Sequence, residues 1–180
     1  VYGNGTNGFI EPNRSLDCGN SGTTARLMLG AVSSNPINCT FHGDSSLSQR
    51  EMSRVTNYLK NMGAVVHLTN KDYLPLLISG NNKLLPMKHK IHKASAQVKS
   101  ALILAALNIH GRTKIIEPIP TRDHTERLLK FLDVKISIRN LKGKIKQIEL
   151  NGPYEIKAKN ISVAGDPSSA AFFIVGALIR

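Results

Sequence analysis

The 180-residue chain carries 24 Lys and Arg against 12 Asp and Glu, a formal net charge of +12, with 41% hydrophobic and 20% charged residues. This composition excludes collagen-like and disordered chains, and a chain of this length buries roughly 70% of the surface its unfolded form exposes, enough for a real core. The charge implies an anionic partner. Aromatics make up 5% of the residues and Trp is absent, which fits small phosphorylated substrates better than nucleic acid, whose binders pair basic stripes with stacking rings.

Residues 20–32 (NSGTTARLMLGAV) open on a small polar cluster and run directly into an apolar, small-residue helix pattern. A short strand is predicted at 38–42. A helix follows at 49–62, with Met52, Val55, Leu59 and Met62 on one face, and strands at 65–69 and 74–79 come after it. The basic segment 83–93 (KLLPMKHKIHK) reads as a solvated loop. The order then returns. A polar cluster opens a second apolar helix at 95–107 (SAQVKSALILAAL), followed by a strand at 113–116, a helix at 123–132 and strands at 135–138 and 145–150. A third such helix start stands at 166–178 (DPSSAAFFIVGAL). The three starts lie about 70–75 residues apart, the spacing of a supersecondary repeat. With one strand entering each unit, the pattern predicts an α/β (α+β) fold of repeated βαβαββ units. The first helix of each unit is apolar around its circumference, so these helices are expected inside with the sheets outside.

Other signals are narrower. The apolar runs 101–107 and 170–179 fall short of the roughly 18–20 residues that a membrane-spanning helix needs. Cys18 and Cys39 are too few for a disulfide framework and lack metal-ligand spacing, so a reducing compartment without a metal site is expected; no cofactor is expected either. Neither thiol has a partnered His motif, and the histidines at 42, 67, 89, 92 and 110 are scattered. Val1 at one end, and an apolar run reaching Arg180 without a helix-closing Gly, Asn or Pro at the other, predict a piece of a longer polypeptide.

Each repeat helix begins with Ser, Thr, Asn or Gly. A helix N-terminus carries unpaired N–H groups and about half a positive elementary charge, so it can hold a phosphate. N-capping accounts for one such start. Three starts of one repeat family in a +12 chain point further, to anion binding.

Five motifs now stand in order: 20–26 within LDCGNSGTTARL, 43–52 (GDSSLSQREM), 95–106 (SAQVKSALILAA), 121–128 (TRDHTERL) and 165–171 (GDPSSAA). In this order and spacing the chain resembles the 5-enolpyruvylshikimate-3-phosphate synthase family from about residue 16 onward, and its wording is nearer the bacterial class II members than the plant type. The resemblance implies an incomplete inside-out α/β barrel of the enolpyruvyl transferase type. Residues 1–157 would hold the N-terminal-lobe repeats, with the second unit at about 17–87 and the third at about 88–157, and residues 158–180 would begin the second lobe. It also implies a cytoplasmic enzyme, monomeric as a whole, that transfers the enolpyruvyl group of phosphoenolpyruvate to the 5-hydroxyl of shikimate 3-phosphate.

The resemblance assigns site residues as well. Asn20 and Gly22 would approach phosphoenolpyruvate. Gly22 has no Cβ to obstruct the backbone, and in this family Ala at the corresponding place implies resistance to the inhibitor glyphosate. Arg50 would grip the phosphate of phosphoenolpyruvate with its planar fork; the family usually has Pro next, whereas Glu51 stands here and puts a carboxylate beside the anion site. Ser95, Ala96 and Gln97 would hold the phosphate of shikimate 3-phosphate, with the Gln97 amide reaching across toward phosphoenolpyruvate, and Arg122 would add a further shikimate 3-phosphate contact. Asp123, His124 and Glu126 suit a helix start and are assigned a structural role, Asp123 as the cap. Asp166 is assigned the cap of the third helix, with Pro167 at its first position.

The family's acid/base residues are not among these, so the 180 residues alone are expected to give no turnover. A missing neighbouring repeat is expected to leave apolar helix faces exposed and the chain prone to self-association. Two rival readings remain: a UDP-N-acetylglucosamine enolpyruvyl transferase, and a non-catalytic module that binds anions or nucleic acid.

Overall fold

The computed structural model describes residue 5 and residues 8–70 and 72–179; the expectations about Val1 and Arg180 lie outside the described residues. The described residues form two four-stranded sheets and five α-helices. In the first unit β1 (Leu16–Asp17), α1 (Gly22–Ser33), β2 (Asn38–His42), α2 (Ser53–Asn61), β3 (Val65–Asn70) and β4 (Tyr73–Ser79) follow one another. In the second unit the order is β5 (Lys88–Lys90), α3 (Ala96–Ala106), β6 (Gly111–Glu117), α4 (His124–Phe131), β7 (Ile136–Asn140) and β8 (Lys146–Gly152).

The strand orders are β1-β2-β4-β3 and β5-β6-β8-β7. In each sheet the first pair is parallel and the other two are antiparallel. The repeat is therefore one of topology as well as of sequence pattern. Side chains alternate as the pleat requires, with Cys39 and Phe41 buried on β2, Leu74, Leu76 and Ile78 on β4, and Thr113, Ile115 and Glu117 on β6.

Between the sheets lie α1 and α3, in contact with each other. Ala25, Leu29, Gly30 and Val32 are buried on α1, and all but three residues of α3 are buried. Gly30 sets the distance between the two helices. A Cβ there would stand 2.1 Å from the carbonyl oxygen of Ala101 on α3, so the backbones meet where only glycine fits. The α2 face formed by Met52, Val55, Leu59 and Met62 is fully buried, as its spacing predicts.

Two expectations need correction. Segment 83–93 is not wholly a loop, because Lys88–Lys90 is the strand β5, which enters the second unit beside β6. His89 is buried there between exposed lysines, an alternation that the basic composition hides. Second, the helix expected at 49–62 begins only at Ser53, since Arg50 is extended (φ −95°, ψ 125°) and a short 3-10 turn, Leu47–Gln49, precedes it. The helix start at 166 forms α5 (Pro167–Leu178) as expected, but nothing among the described residues covers it. Phe172 and Phe173 are each 82% exposed, and no residue of α5 is buried. Among the described residues no helix is long and apolar enough to cross a membrane.

Candidate functional site

The site begins at the N-terminus of α1. Ser21 caps the helix by accepting from the Thr24 amide at 3.1 Å, which leaves Asn20 just outside the first turn. Asn20 Nδ2 donates to Asp44 Oδ2 at 2.7 Å, and Asp44 Oδ1 accepts from the Leu47 amide at 2.7 Å. The Leu47 bond first, and the Asn20 bond second, hold the Asp44 carboxyl below its ordinary range. With its amide nitrogen committed, Asn20 turns its oxygen toward Arg50. Arg50 Nη2 donates to Asn20 Oδ1 at 2.8 Å and to Ser46 Oγ at 3.2 Å, and Nη1 reaches the Asn20 carbonyl at 3.4 Å. The guanidinium is held from one side, with further N–H donors unpartnered among the described residues.

Glu51 raised the question of a carboxylate next to this cation. Its Oε1 accepts from Ser53 Oγ at 2.5 Å at the start of α2, whereas Asn20 and Ser46 engage Arg50. Its main-chain carbonyl instead receives Arg26 Nη2 at 3.0 Å.

Arg26 joins the two halves of the site. Its Nη1 donates to Gln97 Oε1 at 2.8 Å, and Gln97 Nε2 donates to Thr23 Oγ1 at 2.8 Å. Gln97 on α3 is thus clasped by two residues of α1. Burial, with Arg54 and then Arg50 nearby, lowers the Arg26 pKa, the signature of several cations gathered at one place. Gly22 is buried beneath this cluster, and a Cβ on it would lie 2.7 Å from Arg26 Nη1.

A hollow of about 500 Å³ follows, lined by Ser95, Ala96 and Gln97 on one wall and Pro120, Thr121 and Arg122 on the other. Ser95 Oγ caps α3 by accepting from the Val98 amide at 3.3 Å, and Ala96 offers only its backbone. Arg122 is exposed, and its guanidinium makes no hydrogen bond or ion pair among the described residues. The candidate residues therefore form one connected stretch. Asn20, Gly22 and Arg50 cluster at the end of α1, Gln97 is clasped by Arg26 and Thr23 of the same helix, and Ser95, Ala96 and Arg122 line the hollow that Gln97 borders. The sequence reading missed Arg26, Thr23 and Asp44. One signal was available for Arg26: a cation early in a helix opposes the macrodipole and calls for a partner.

The remaining residues separate as follows. Asp123 precedes α4 but makes no side-chain cap, contrary to expectation. The helix start is tied down by Thr125 Oγ1, 2.7 Å from Ser100 Oγ. Asp166 does cap α5, accepting from the Ser168 amide at 2.9 Å, with Pro167 at the first helical position. Both cysteines are buried, and burial pushes the Cys39 thiol up to about 11, far from a reactive thiolate. A second hollow, of about 430 Å³, runs along α2 beside Arg54, Tyr58, His92 and Lys93, and none of the predicted site residues lines it.

The geometry defines a class of protein: paired repeat units that bring the capped ends of their inner helices together with arginines. A sequence-family model described as EPSP synthase (3-phosphoshikimate 1-carboxyvinyltransferase) matches residues 1–180, and the chain belongs to that family. The 3-phosphoshikimate 1-carboxyvinyltransferase of Novosphingobium aromaticivorans is 46% identical over 179 residues, covering 99% of this chain and 41% of that protein. That of Parvibaculum lavamentivorans is 48% identical, covering 99% of this chain and 40% of the relative. The solved EPSP synthase of Acinetobacter baumannii superposes with a TM-score of 0.82 at 41% identity, over 95% of this chain and 38% of that one. The chain thus spans about 40% of the length of the curated relatives it matches.

Proposed function

We propose that this chain forms the phosphate-binding wall of an enolpyruvyl transferase that moves the enolpyruvyl group from phosphoenolpyruvate to the 5-hydroxyl of shikimate 3-phosphate. In that reaction the 5-hydroxyl oxygen bonds to C2 of the enol as C3 takes a proton and the hydroxyl proton is given up. The tetrahedral intermediate then breaks its C2–O bond to phosphate while C3 returns a proton, restoring the double bond. Both substrates are polyanions, so fixed donors are needed at two phosphates.

The observation that carries this reading is the joining of α1 and α3 through Arg26, Gln97 and Thr23. Each inner helix brings its capped N-terminus to the junction, and each unit adds an arginine from the loop before its second helix. Arg50, with Asn20 and Gly22, serves the phosphate of phosphoenolpyruvate. Ser95, Ala96 and Arg122 serve that of shikimate 3-phosphate, with Gln97 between them. On this reading residues 1–157 are N-terminal-lobe repeats and 158–180 open a second lobe. The whole enzyme is a cytoplasmic monomer that uses no metal or organic cofactor. The converging side chains are cations, amides and hydroxyls, and the nearby carboxylates Asp44 and Glu51 are committed to hydrogen bonds. Binding and polarisation therefore fall to this chain, with proton transfer supplied from outside it.

Titration calorimetry of the 180-residue chain tests the reading. Shikimate 3-phosphate is expected to bind, Arg122→Ala to weaken it at least ~10-fold, consistent with the loss of one charge-assisted contact, and UDP-N-acetylglucosamine to give no heat. Absent shikimate 3-phosphate binding, or equal binding by Arg122→Ala, would overturn it.

A further inference from the structure

We propose that Lys99 is a positioning residue for the shikimate 3-phosphate hollow, gripping the loop that carries Arg122; the substrate named here rests on the functional reading above. Lys99 is fully buried on α3, four residues after the cap Ser95. The same place on α1, four residues after the cap Ser21, holds Ala25, also fully buried. A methyl group is enough for the fold at this position in one unit, yet the other places an ammonium group there.

The partners of that ammonium indicate its purpose. Lys99 Nζ donates to the Arg122 carbonyl at 2.7 Å and reaches the Thr121 carbonyl at 3.5 Å. It lies 2.8 Å from Glu126 Oε1 and 3.3 Å from Glu117 Oε2, and both carboxylates are buried. Thr121 Oγ1 donates to the other oxygen of Glu117 at 2.5 Å. Lys146 Nζ, 3.6 Å from Glu126 Oε1, makes the group two cations against two carboxylates.

The loop depends on these contacts. Among the described residues, 118–122 make no backbone–backbone hydrogen bond, so Thr121 and Arg122 are held from below by Lys99 and Glu117 alone. Lys99 also belongs to the opposite wall, since its own amide donates to the Ser95 carbonyl within α3. One side chain therefore spans from the helix that forms one wall of the hollow to the loop that forms the other. Buried ion pairs add little stability compared with apolar packing of the same volume, so the distinctive product of this cluster is the fixed height of Arg122.

The test compares two ligands in the full 180-residue chain. Lys99→Met is expected to weaken shikimate 3-phosphate at least tenfold and phosphoenolpyruvate less than threefold, and hydrogen exchange across 118–123 is expected to accelerate. In an Arg122→Ala background the same change is expected to cost less than twofold, because the guanidinium it positions is already gone. The single variant leaves two buried carboxylates facing Lys146 alone, so Lys99→Met/Glu117→Gln, which keeps Glu126 paired with Lys146, provides a charge-balanced version of similar volume. Unchanged shikimate 3-phosphate affinity in the folded variants, or equal losses for both ligands, would overturn the proposal. Should the unaltered chain bind no shikimate 3-phosphate, the functional reading fails while the exchange measurement still decides whether Lys99 holds the loop.

Discussion

At the scale of single residues, the site works by committing one face of each side chain so that the other is aimed. Asp44 takes the Asn20 amide, Asn20 then turns its oxygen to Arg50, and Arg26 and Thr23 together fix both ends of the Gln97 amide. Gly22 leaves little room beside Arg26. A methyl group there would crowd Arg26 Nη1 at 2.7 Å, and that nitrogen cannot move away without loosening its bond to Gln97. Gly22→Ala is therefore expected to leave the fold intact, to weaken phosphoenolpyruvate binding about 3- to 10-fold through partial loosening of one charge-assisted contact, and to weaken glyphosate binding by a larger factor. Calorimetry with both ligands checks this; equal affinities for the two forms would remove Gly22 from the site. Asn20, Gly22, Arg50, Gln97 and Arg122 were legible because they stand in ordered motifs. Arg26 and Lys99 stand in the same motifs, yet their partners, Glu51, Gln97, Glu117 and Glu126, are distant in sequence and come from the start of α2, from α3, from the end of β6 and from α4, which only the fold brings together.

Among the elements, helices were easier to read than the strand that enters the second unit. The 3.6-residue apolar spacing of α2 survives in the structure as one buried face, although the turn before it delays its start to Ser53. β5 is three residues long and reads Lys-His-Lys, so its sequence carries no apolar signal, and its alternation shows only in the burial of His89 against the ring of Tyr58 (5.7 Å between centroids, 79° between planes). Burial lowers the His89 pKa. The unfolded chain then binds a proton that the folded chain does not, so this contribution to stability is complete above the ordinary histidine value of about 6.5 and is lost as the pH falls below it. Denaturant melts between pH 7.5 and 5 are expected to show stability falling on the acid side, and His89→Leu to flatten that part of the curve. An unchanged slope would place the acid sensitivity elsewhere.

For the molecule as a whole, the repeat was the legible feature, and the two sheets reproduce it strand for strand. The repeat also extends to backbone packing that no motif announces. Gly80, just after β4, lies against the Asn35 and Val32 carbonyls at the end of α1, and Gly152, at the end of β8, lies against those of Ala106 and Ile109 near the end of α3. Among the described residues α5, with the same N-terminal signature as α1 and α3, is left uncovered, with Phe172, Phe173 and Leu178 exposed. A helix start is encoded locally by its cap and first turn, whereas its place inside or outside depends on what packs against it.

On the function proposed above, the ends of α1 and α3, with their two loop arginines, form one continuous surface for phosphorylated ligands. The most direct measurement is a backbone amide NMR titration of the labelled 180-residue chain with shikimate 3-phosphate. Saturable shifts are expected at 95–97 and 120–122, with weaker ones passing through Gln97 to 22–26. Shifts confined to the groove along α2, at 54–61 and 91–93, or no saturable response at all, would contradict it.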